Sequence, residues 1–313
     1  MQKKEGLVVR AISGFFTVVA GESEVICQIA GRLKRGRRES DLVAVGDWVT
    51  YTLQEDGTGR IEDVAARERV LSRARPAAGM RQMDADQEQV LVANPDQVII
   101  VFAAAEPAPS LRKLDRFLVV AEMNDLPVII CVNKIDLVAE GEAEKIFAIY
   151  EKIGYSVIYT SVVKQIGVDA LQESLAGKLS VFTGSSGVGK SSLLNEIQEG
   201  LGLKVKSVSE ATTKGMHTTR HVEMFPLDGG GYVADTPGIR GLALFNIEPE
   251  ELDGYFREME PLVGQCKFRD CRHEAETKCA IQAAVKRGEI SPERYDSYLR
   301  LRAEQEELLR TAY

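Results

Sequence analysis

The residues best equipped for chemistry are Gly184-Ser185-Ser186-Gly187-Val188-Gly189-Lys190-Ser191, which fill every fixed position of the phosphate-binding pattern G-x-x-x-x-G-K-[ST]. Glycines at these positions let successive backbone N–H groups turn inward onto phosphate oxygens, and the dipole of a following helix adds positive potential. Lys190 would reach the β- and γ-phosphates, the Ser191 hydroxyl would ligate Mg²⁺, and Ser192 completes the nucleotide contacts in the first helical turn. A second set is Asn133-Lys134-Ile135-Asp136, an N-K-x-D. A carboxylate here accepts hydrogen bonds from the N1–H and exocyclic amine of guanine, which adenine does not offer, so Asp136 would select GTP over ATP. Asn133 would hold the loop in shape and Lys134 would lie over the base. Ser161-Val162 falls where a base-backing loop is expected, with valine in place of the commoner alanine.

Two further stretches would meet the γ-phosphate. Asp235-Thr236-Pro237-Gly238 is a D-x-x-G, in which Asp235 would hold the Mg²⁺ shell and the Gly238 N–H would sense the phosphate. Residues 204–220 are polar and include Thr212, Thr213, His217, Thr218 and Thr219, like a switch loop whose threonine meets Mg²⁺ only when GTP is bound. Thr219 is the expected Mg²⁺ ligand, beside Ser191 and Asp235. Ile239 follows Gly238, where Ras-like enzymes place a water-orienting glutamine, and an isoleucine cannot orient water. His217 is the candidate to replace it, so that Lys190, Thr219 and His217 form the expected catalytic set; a solvated loop histidine is the competing reading. Further on, Cys266-x4-Cys271-x-His273-x5-Cys279 offers three thiolates and an imidazole, a tetrahedral set that would close around one structural Zn²⁺.

These groups need elements to position them. The apolar runs Gln97–Ala103, Val128–Val132, Ser156–Thr160 and Leu179–Thr183 predict strands, and the stripe Leu111, Leu114, Phe117, Leu118 and Ala121 predicts a helix over 111–124. The phosphate loop would thus join a buried strand to a helix carrying Leu193, Leu194 and Ile197, and N-K-x-D would close another strand, where doubly wound sheets bind ligands. A helix over about 141–153 and strands at Val222–Phe225 and Gly231–Ala234 complete this part. Ahead of it, residues 1–71 hold five short strand-like runs, Leu7–Val9, Phe15–Val19, Val25–Ile29, Trp48–Tyr51 and Gly59–Glu62, separated by turn residues. They suit a small OB-type barrel, although composition does not separate it from an SH3-like one. Arg32, Lys34, Arg35, Arg37 and Arg38 crowd one segment of it, while residues 1–72 as a whole balance eleven basic against eleven acidic residues. Such a basic loop could contact an RNA backbone, or it could be a solvated hairpin tip. Arg73 to Ala93 reads as a linker, broken by Pro76 and Gly79. A helix is expected near 249–260, another over 280–286, and a last amphipathic one from Ser291-Pro292 onward.

The expected architecture is therefore multidomain: residues 1–72 an all-β OB-type RNA-binding barrel, 73–245 an α/β P-loop GTPase domain, 246–313 a mostly helical zinc-binding domain. Ras-like enzymes run P-loop, switch threonine, D-x-x-G, N-K-x-D, whereas here N-K-x-D comes first. The motif set is complete but circularly permuted, which is tolerated where the original termini lie close together. With 39 basic and 47 acidic residues the net charge is −8, which excludes a coat of nucleic-acid-binding charge but not a local patch. Five cysteines, three of them within residues 266–279, point to metal ligation in a reducing compartment. No signal peptide or membrane-length apolar run is read, so a cytoplasmic protein without a membrane partner is expected.

With these motifs in place the sequence resembles the ribosome small subunit-dependent GTPase A family of bacteria over nearly the whole chain. Its most specific pieces are Gly184–Ser191 downstream of Asn133–Asp136, Gly215-Met216-His217-Thr218-Thr219, Asp235–Gly238 and the Cys/Cys/His/Cys set. The resemblance implies a monomeric enzyme that uses GTP/GDP and Mg²⁺, is stimulated by the small ribosomal subunit, acts late in that subunit's maturation, and leaves its rRNA on hydrolysis. The motifs by themselves reach a Mg²⁺-dependent guanine nucleotide switch with an RNA-binding appendage. Two other classes stay open on sequence: a P-loop ATPase or kinase with Asp136 incidental, and an RNA-binding module with a vestigial nucleotide site.

Overall fold

A computed structural model describes residues 3–34, 41–74, 88–198, 200–201, 222–235 and 247–312. The chain begins with β1 (Lys3–Ile12), β2 (Phe15–Ala20), β3 (Ser23–Ile29), β4 (Trp48–Leu53) and β5 (Gly59–Val64). Alternating residues put Phe16, Val18, Cys27, Val49, Tyr51 and Ile61 into one core, as the two-residue period of a strand requires. The strands run in the order β1-β2-β3-β5-β4, β4 closes back on β1, and β3 meets β5 in parallel. This closed five-stranded arrangement is the OB-type barrel. Gly59 permits the β3–β5 approach, since a Cβ there would stand 2.3 Å from the Cys27 sulfur.

The expected linker is partly ordered: β6 (Val70–Ala74) and β7 (Glu88–Ala93) form an antiparallel pair. Pro76 and Gly79 hide this in the sequence by breaking the period, yet Val90, Leu91 and Val92 are all buried. The pair touches two bodies at once, because Leu91 and Val92 join the main core while Val90 and Ala93 pack with Ala44 of the barrel.

The nucleotide domain follows as β8 (Gln97–Ala103), α1 (Leu111–Met123), β9 (Val128–Asn133), α2 (Glu142–Lys152), β10 (Ser156–Tyr159), α3 (Val168–Leu175), β11 (Lys178–Thr183), α4 (Lys190–Ile197), β12 (Glu223–Pro226) and β13 (Gly231–Asp235). Its strands are ordered β10-β9-β8-β11-β13-β12, parallel except for β12. Every residue of β8 is buried, with Val98, Ile100 and Phe102 facing the core that contains α1 and Ile99, Val101 and Ala103 facing the core beneath α3 and α4. That is why β8 reads as a continuous apolar run. The barrel is joined to this sheet through β1, which pairs antiparallel with β12 at Arg10 and Glu223, giving an eleven-stranded sheet.

The C-terminal region contains α5 (Ala280–Arg287) and α6 (Pro292–Ala312). The helix expected near 249–260 is instead two 3-10 turns, Leu252–Tyr255 and Glu260–Leu262. Gly254 weakens a helix interior and Pro261 ends one, so the apolar residues are buried by tighter turns: Leu252, Phe256 and Met259 are each fully buried. Ser291 caps α6 by accepting from the Arg294 N–H at 3.2 Å. Among the described residues no helix is long and apolar enough to cross a membrane.

Candidate functional site

The direction of winding reverses between β8 and β11: from β8 the chain moves outward through β9 and β10, and from β11 it crosses the other way, to β12 and then back to β13 between them. The crevice at the carboxyl ends of these strands is the ligand position of a doubly wound sheet. The phosphate loop leaves β11 there. Gly184 has φ +144° and a Cβ would stand 2.2 Å from the Val101 carbonyl oxygen, so only glycine lets the loop leave this close to β8. Gly189, at φ +95°, ends the loop as the residue before α4, with Ser191 and Ser192 half-buried in the helix's first turn.

The guanine-type loop is held against the phosphate loop. The buried Asn133 donates from Nδ2 to the Val188 carbonyl at 3.0 Å and accepts from Thr160 Oγ1 at 3.2 Å. A Cβ on Gly189 would stand 2.3 Å from that Nδ2, so the glycine makes room for the contact. Lys134 adopts a left-handed backbone at φ +62° and its ammonium donates to the Glu106 carbonyl. Ser161, fully buried, donates from Oγ to Asp136 Oδ1 at 2.6 Å and accepts from the Lys164 N–H at 3.1 Å. Val162 is half-buried beside it. Three stretches that lie apart in sequence, Asn133–Asp136, Thr160-Ser161 and Val188, are thereby brought into one hydrogen-bonded patch. Thr160, which closes the link between Asn133 and the Ser161 loop, carries no motif signature and is missed by reading the sequence.

On the phosphate side, Lys190 donates from Nζ to the carbonyls of Gly184 at 2.8 Å and Ser185 at 3.1 Å. Burial pushes its ammonium pKa down, opposed by the carboxylate of Asp235. Burial likewise pushes Asp235 up, opposed by Lys190. Asp235 Oδ1 is buried and has no hydrogen-bond partner among the described residues. A buried carboxylate oxygen with an open lone pair, beside the first turn carrying Ser191, fits a hard cation such as Mg²⁺. Thr219, His217 and Gly238 lie outside the described residues, as do Arg35, Arg37 and Arg38 of the basic segment. Lys34 ends the 3-10 turn Gly31–Lys34, and Arg32 pairs with Glu62 at 2.9 Å.

The ligand atoms of Cys266, Cys271, His273 and Cys279 all lie within 4.8 Å of one another. Three separations are 3.5 Å (Cys266 Sγ to His273 Nδ1), 3.8 Å (Cys266 Sγ to Cys279 Sγ) and 3.3 Å (His273 Nδ1 to Cys279 Sγ). Zinc bonded at about 2.3 Å to sulfur and about 2.0 Å to nitrogen spans tetrahedral edges of roughly 3.5–3.8 Å, close to the separations of Cys266, His273 and Cys279, so the cluster could hold zinc. The N–H groups of Ala280 and Gln282 point at the sulfurs of Cys266 and Cys279 at 3.3 and 3.4 Å, as suits thiolates. Asp253 Oδ2 lies 3.0 Å from His273 Nε2 and leaves Nδ1 facing the cysteines. A carboxylate on the far ring nitrogen fixes a ligating imidazole's orientation. Asp253 is twenty residues upstream with no pattern linking it to the cysteines, so sequence reading does not find it.

A phosphate loop and an N-K-x-D loop meeting at the reversal point, with the N-K-x-D half first in the chain, define a circularly permuted P-loop GTPase. The chain belongs to the RsgA GTPase family: the RsgA GTPase family model matches residues 64–245 and the RsgA N-terminal domain matches residues 5–61. A relative from Gemmatimonas aurantiaca, named small ribosomal subunit biogenesis GTPase RsgA, is 41% identical over 96% of each chain. One of the same name from Thermotoga maritima is 39% identical, again over 96% of each chain. Among solved structures, YjeQ from Thermotoga maritima superposes with a TM-score of 0.77 at 36% identity, covering 97% of this chain and 99% of its own. YloQ, described as a circularly permuted GTPase, superposes with a TM-score of 0.73 at 31% identity, covering 98% of this chain and 96% of its own.

Proposed function

We propose that this protein hydrolyses GTP to GDP and phosphate in a Mg²⁺-dependent reaction stimulated by the small ribosomal subunit, that it acts late in that subunit's maturation, and that it leaves on hydrolysis. The observation that carries the nucleotide chemistry is the Asn133 Nδ2 to Val188 carbonyl bond, which ties the base-selecting loop to the phosphate loop. The names of the full-length relatives support the ribosomal partner.

In this reading the backbone of Gly184 to Ser192 cradles the phosphates. Lys190 exchanges two loop carbonyls for phosphate oxygens, whose charge restores an ammonium that burial disfavours. Asp136, aimed by Ser161, accepts from guanine N1–H and the exocyclic amine, the Ser161-Val162 backbone meets the guanine oxygen, and Lys134 covers the ring. Ser191, Asp235 and Thr219 would hold Mg²⁺, which when bound would supply positive charge against the developing phosphate charge. His217 orients the attacking water, and the Gly238 N–H senses the γ-phosphate. The zinc set is structural, because four protein ligands leave no position for water. Arg32, Lys34, Arg35, Arg37 and Arg38 give the barrel a contact to the rRNA backbone, within working units of residues 1–72, 73–245 and 246–313. A monomer in the cytoplasm accords with this role.

The test is GTP and ATP hydrolysis, each with and without purified small ribosomal subunits. GTP-specific turnover that rises strongly with subunits is expected. Turnover indifferent to subunits would remove the ribosomal assignment, and a preference for ATP would remove the role of Asp136.

A further inference from the structure

One row of the sheet runs from the barrel to the phosphate loop. Arg10 on β1 is opposite Glu223 on β12, Glu223 is opposite Asp235 on β13, and Asp235 is beside Phe182 on β11, two residues before Gly184. Directly opposed residues of an antiparallel pair put their side chains on one face, so Arg10, Glu223 and Asp235 share a side of the sheet. Arg10 Nε and Glu223 Oε1 are 3.4 Å apart, closing an ion pair between the barrel and the nucleotide domain.

Asp235 Oδ1 is buried without a hydrogen-bond partner among the described residues, so the strands flanking β13 bear on where the carboxylate sits. On one side stands β11, a six-residue strand inside the sheet. On the other stands β12, only four residues long, whose outer edge is paired with β1. The register of β1 shifts between Val8 and Arg10. Around that irregularity Val8 enters the barrel core while Val9 enters the core shared with Met224 of β12. β1 is thus anchored in both bodies immediately before it offers Arg10 to Glu223.

We propose that Arg10, a residue of the barrel, is a positioning residue for Asp235: through Glu223 it fixes the β12 edge, and hence the carboxylate that meets Mg²⁺. This rests on the assignment of Asp235 to the Mg²⁺ site made above. A barrel engaged on a partner is then felt at the metal-binding carboxylate along a path two strand pairings long.

The experiment compares wild type, Arg10→Glu, Glu223→Arg and the combined charge swap. The primary readout is Mg²⁺ titration of the binding of a fluorescent GDP analogue, alongside kcat and KM for GTP and the melting temperature. Both partners are partly exposed, at 49% and 36%, so neither substitution threatens a core. Each single variant should raise the Mg²⁺ concentration for half-saturation about fivefold and lower kcat about fivefold, the size of a modest coupling between sites. KM and melting temperature should stay near wild type, and the swap should recover most of both losses. Because one substitution adds an acidic and the other a basic charge, matching defects cannot come from altered overall charge. Single variants with wild-type Mg²⁺ titrations, or a swap no better than either single, would overturn the proposal. Asp235→Asn is the control: if it leaves the Mg²⁺ requirement unchanged, the metal assignment itself fails. A wild type whose turnover ignores ribosomal subunits would fault only the ribosomal reading, since the Mg²⁺ titrations are done without them.

Discussion

The barrel and the C-terminal region that carries the Cys/Cys/His/Cys cluster are attached to the nucleotide domain by different means. The barrel joins through backbone: β1 continues the sheet at β12, and Gly46 meets both the Val8 carbonyl at 2.8 Å and the hairpin strand β7. The C-terminal region shares an apolar core with helix α1, including Leu114, Leu118, Leu252, Phe256 and Tyr298, and is pinned there by buried charged side chains. Arg294, with a side chain 1% exposed, pairs with Asp115 at 2.6 Å and Glu258 at 2.7 Å, and Tyr150 also donates to Asp115 at 2.7 Å. Burial alone pushes the Asp115 carboxyl up, against the pull of Arg294. At the rim Arg257 reaches Glu122 at 2.6 Å and stacks over Tyr155. A joint of main-chain bonds tolerates surface change but not backbone change. A joint of buried charges is the reverse, because each charge is stable only with its partners.

Substitutions can break or sharpen that contrast. The largest effect is expected from zinc removal or Cys279→Ser, which should unfold the C-terminal region while the barrel persists, seen as loss of one of two transitions in calorimetry. Next is Arg294→Ala, which leaves Asp115 and Glu258 buried without their cation and should cost about 3–5 kcal/mol in denaturant unfolding. Gly46→Ala tests the backbone joint. At φ +91°, with a Cβ 2.0 Å from the Ala93 carbonyl oxygen, it should lose about 1–3 kcal/mol in strain before any clash is relieved. Asp253→Ala should weaken zinc affinity about 10- to 100-fold in chelator competition while the ligands stay in place. The smallest effect is expected for Arg257→Ala, at under about 1 kcal/mol, because this pair is partly exposed to solvent. Apart from these joints, His217→Ala should abolish subunit-stimulated turnover with nucleotide affinity near normal; unchanged turnover would exclude the histidine.

How much of this was legible in the sequence depended on whether the signal was local. The strand before Gly184, the strand before Asn133 and the five barrel strands announce themselves, since burial on one or both faces imposes a periodicity on neighbouring residues. The Cys/Cys/His/Cys set is legible because its ligands crowd within residues 266–279. What escaped is built from distant pairs. Nothing near Asp253 marks it as the partner of His273, and Asp115 and Arg294 meet across 179 residues. The β6–β7 pair was hidden by Pro76 and Gly79 between its strands. The stretch after Pro249 carries apolar spacing suited to a helix, but Gly254 and Pro261 favour tight turns that bury the same side chains.

The eleven-stranded sheet has a consequence for how the chain can be divided. An unpaired strand edge offers its free N–H and C=O groups to any other chain, and natural proteins blunt such edges. At one end of the nucleotide sheet the edge is β10, only four residues long. At the other, β12 is covered by β1 of the barrel. The barrel is therefore also a cap against self-association, and removing it would bare β12 as a template for strand addition between molecules. A nucleotide domain produced without its barrel should aggregate for that reason, independently of any loss of partner binding.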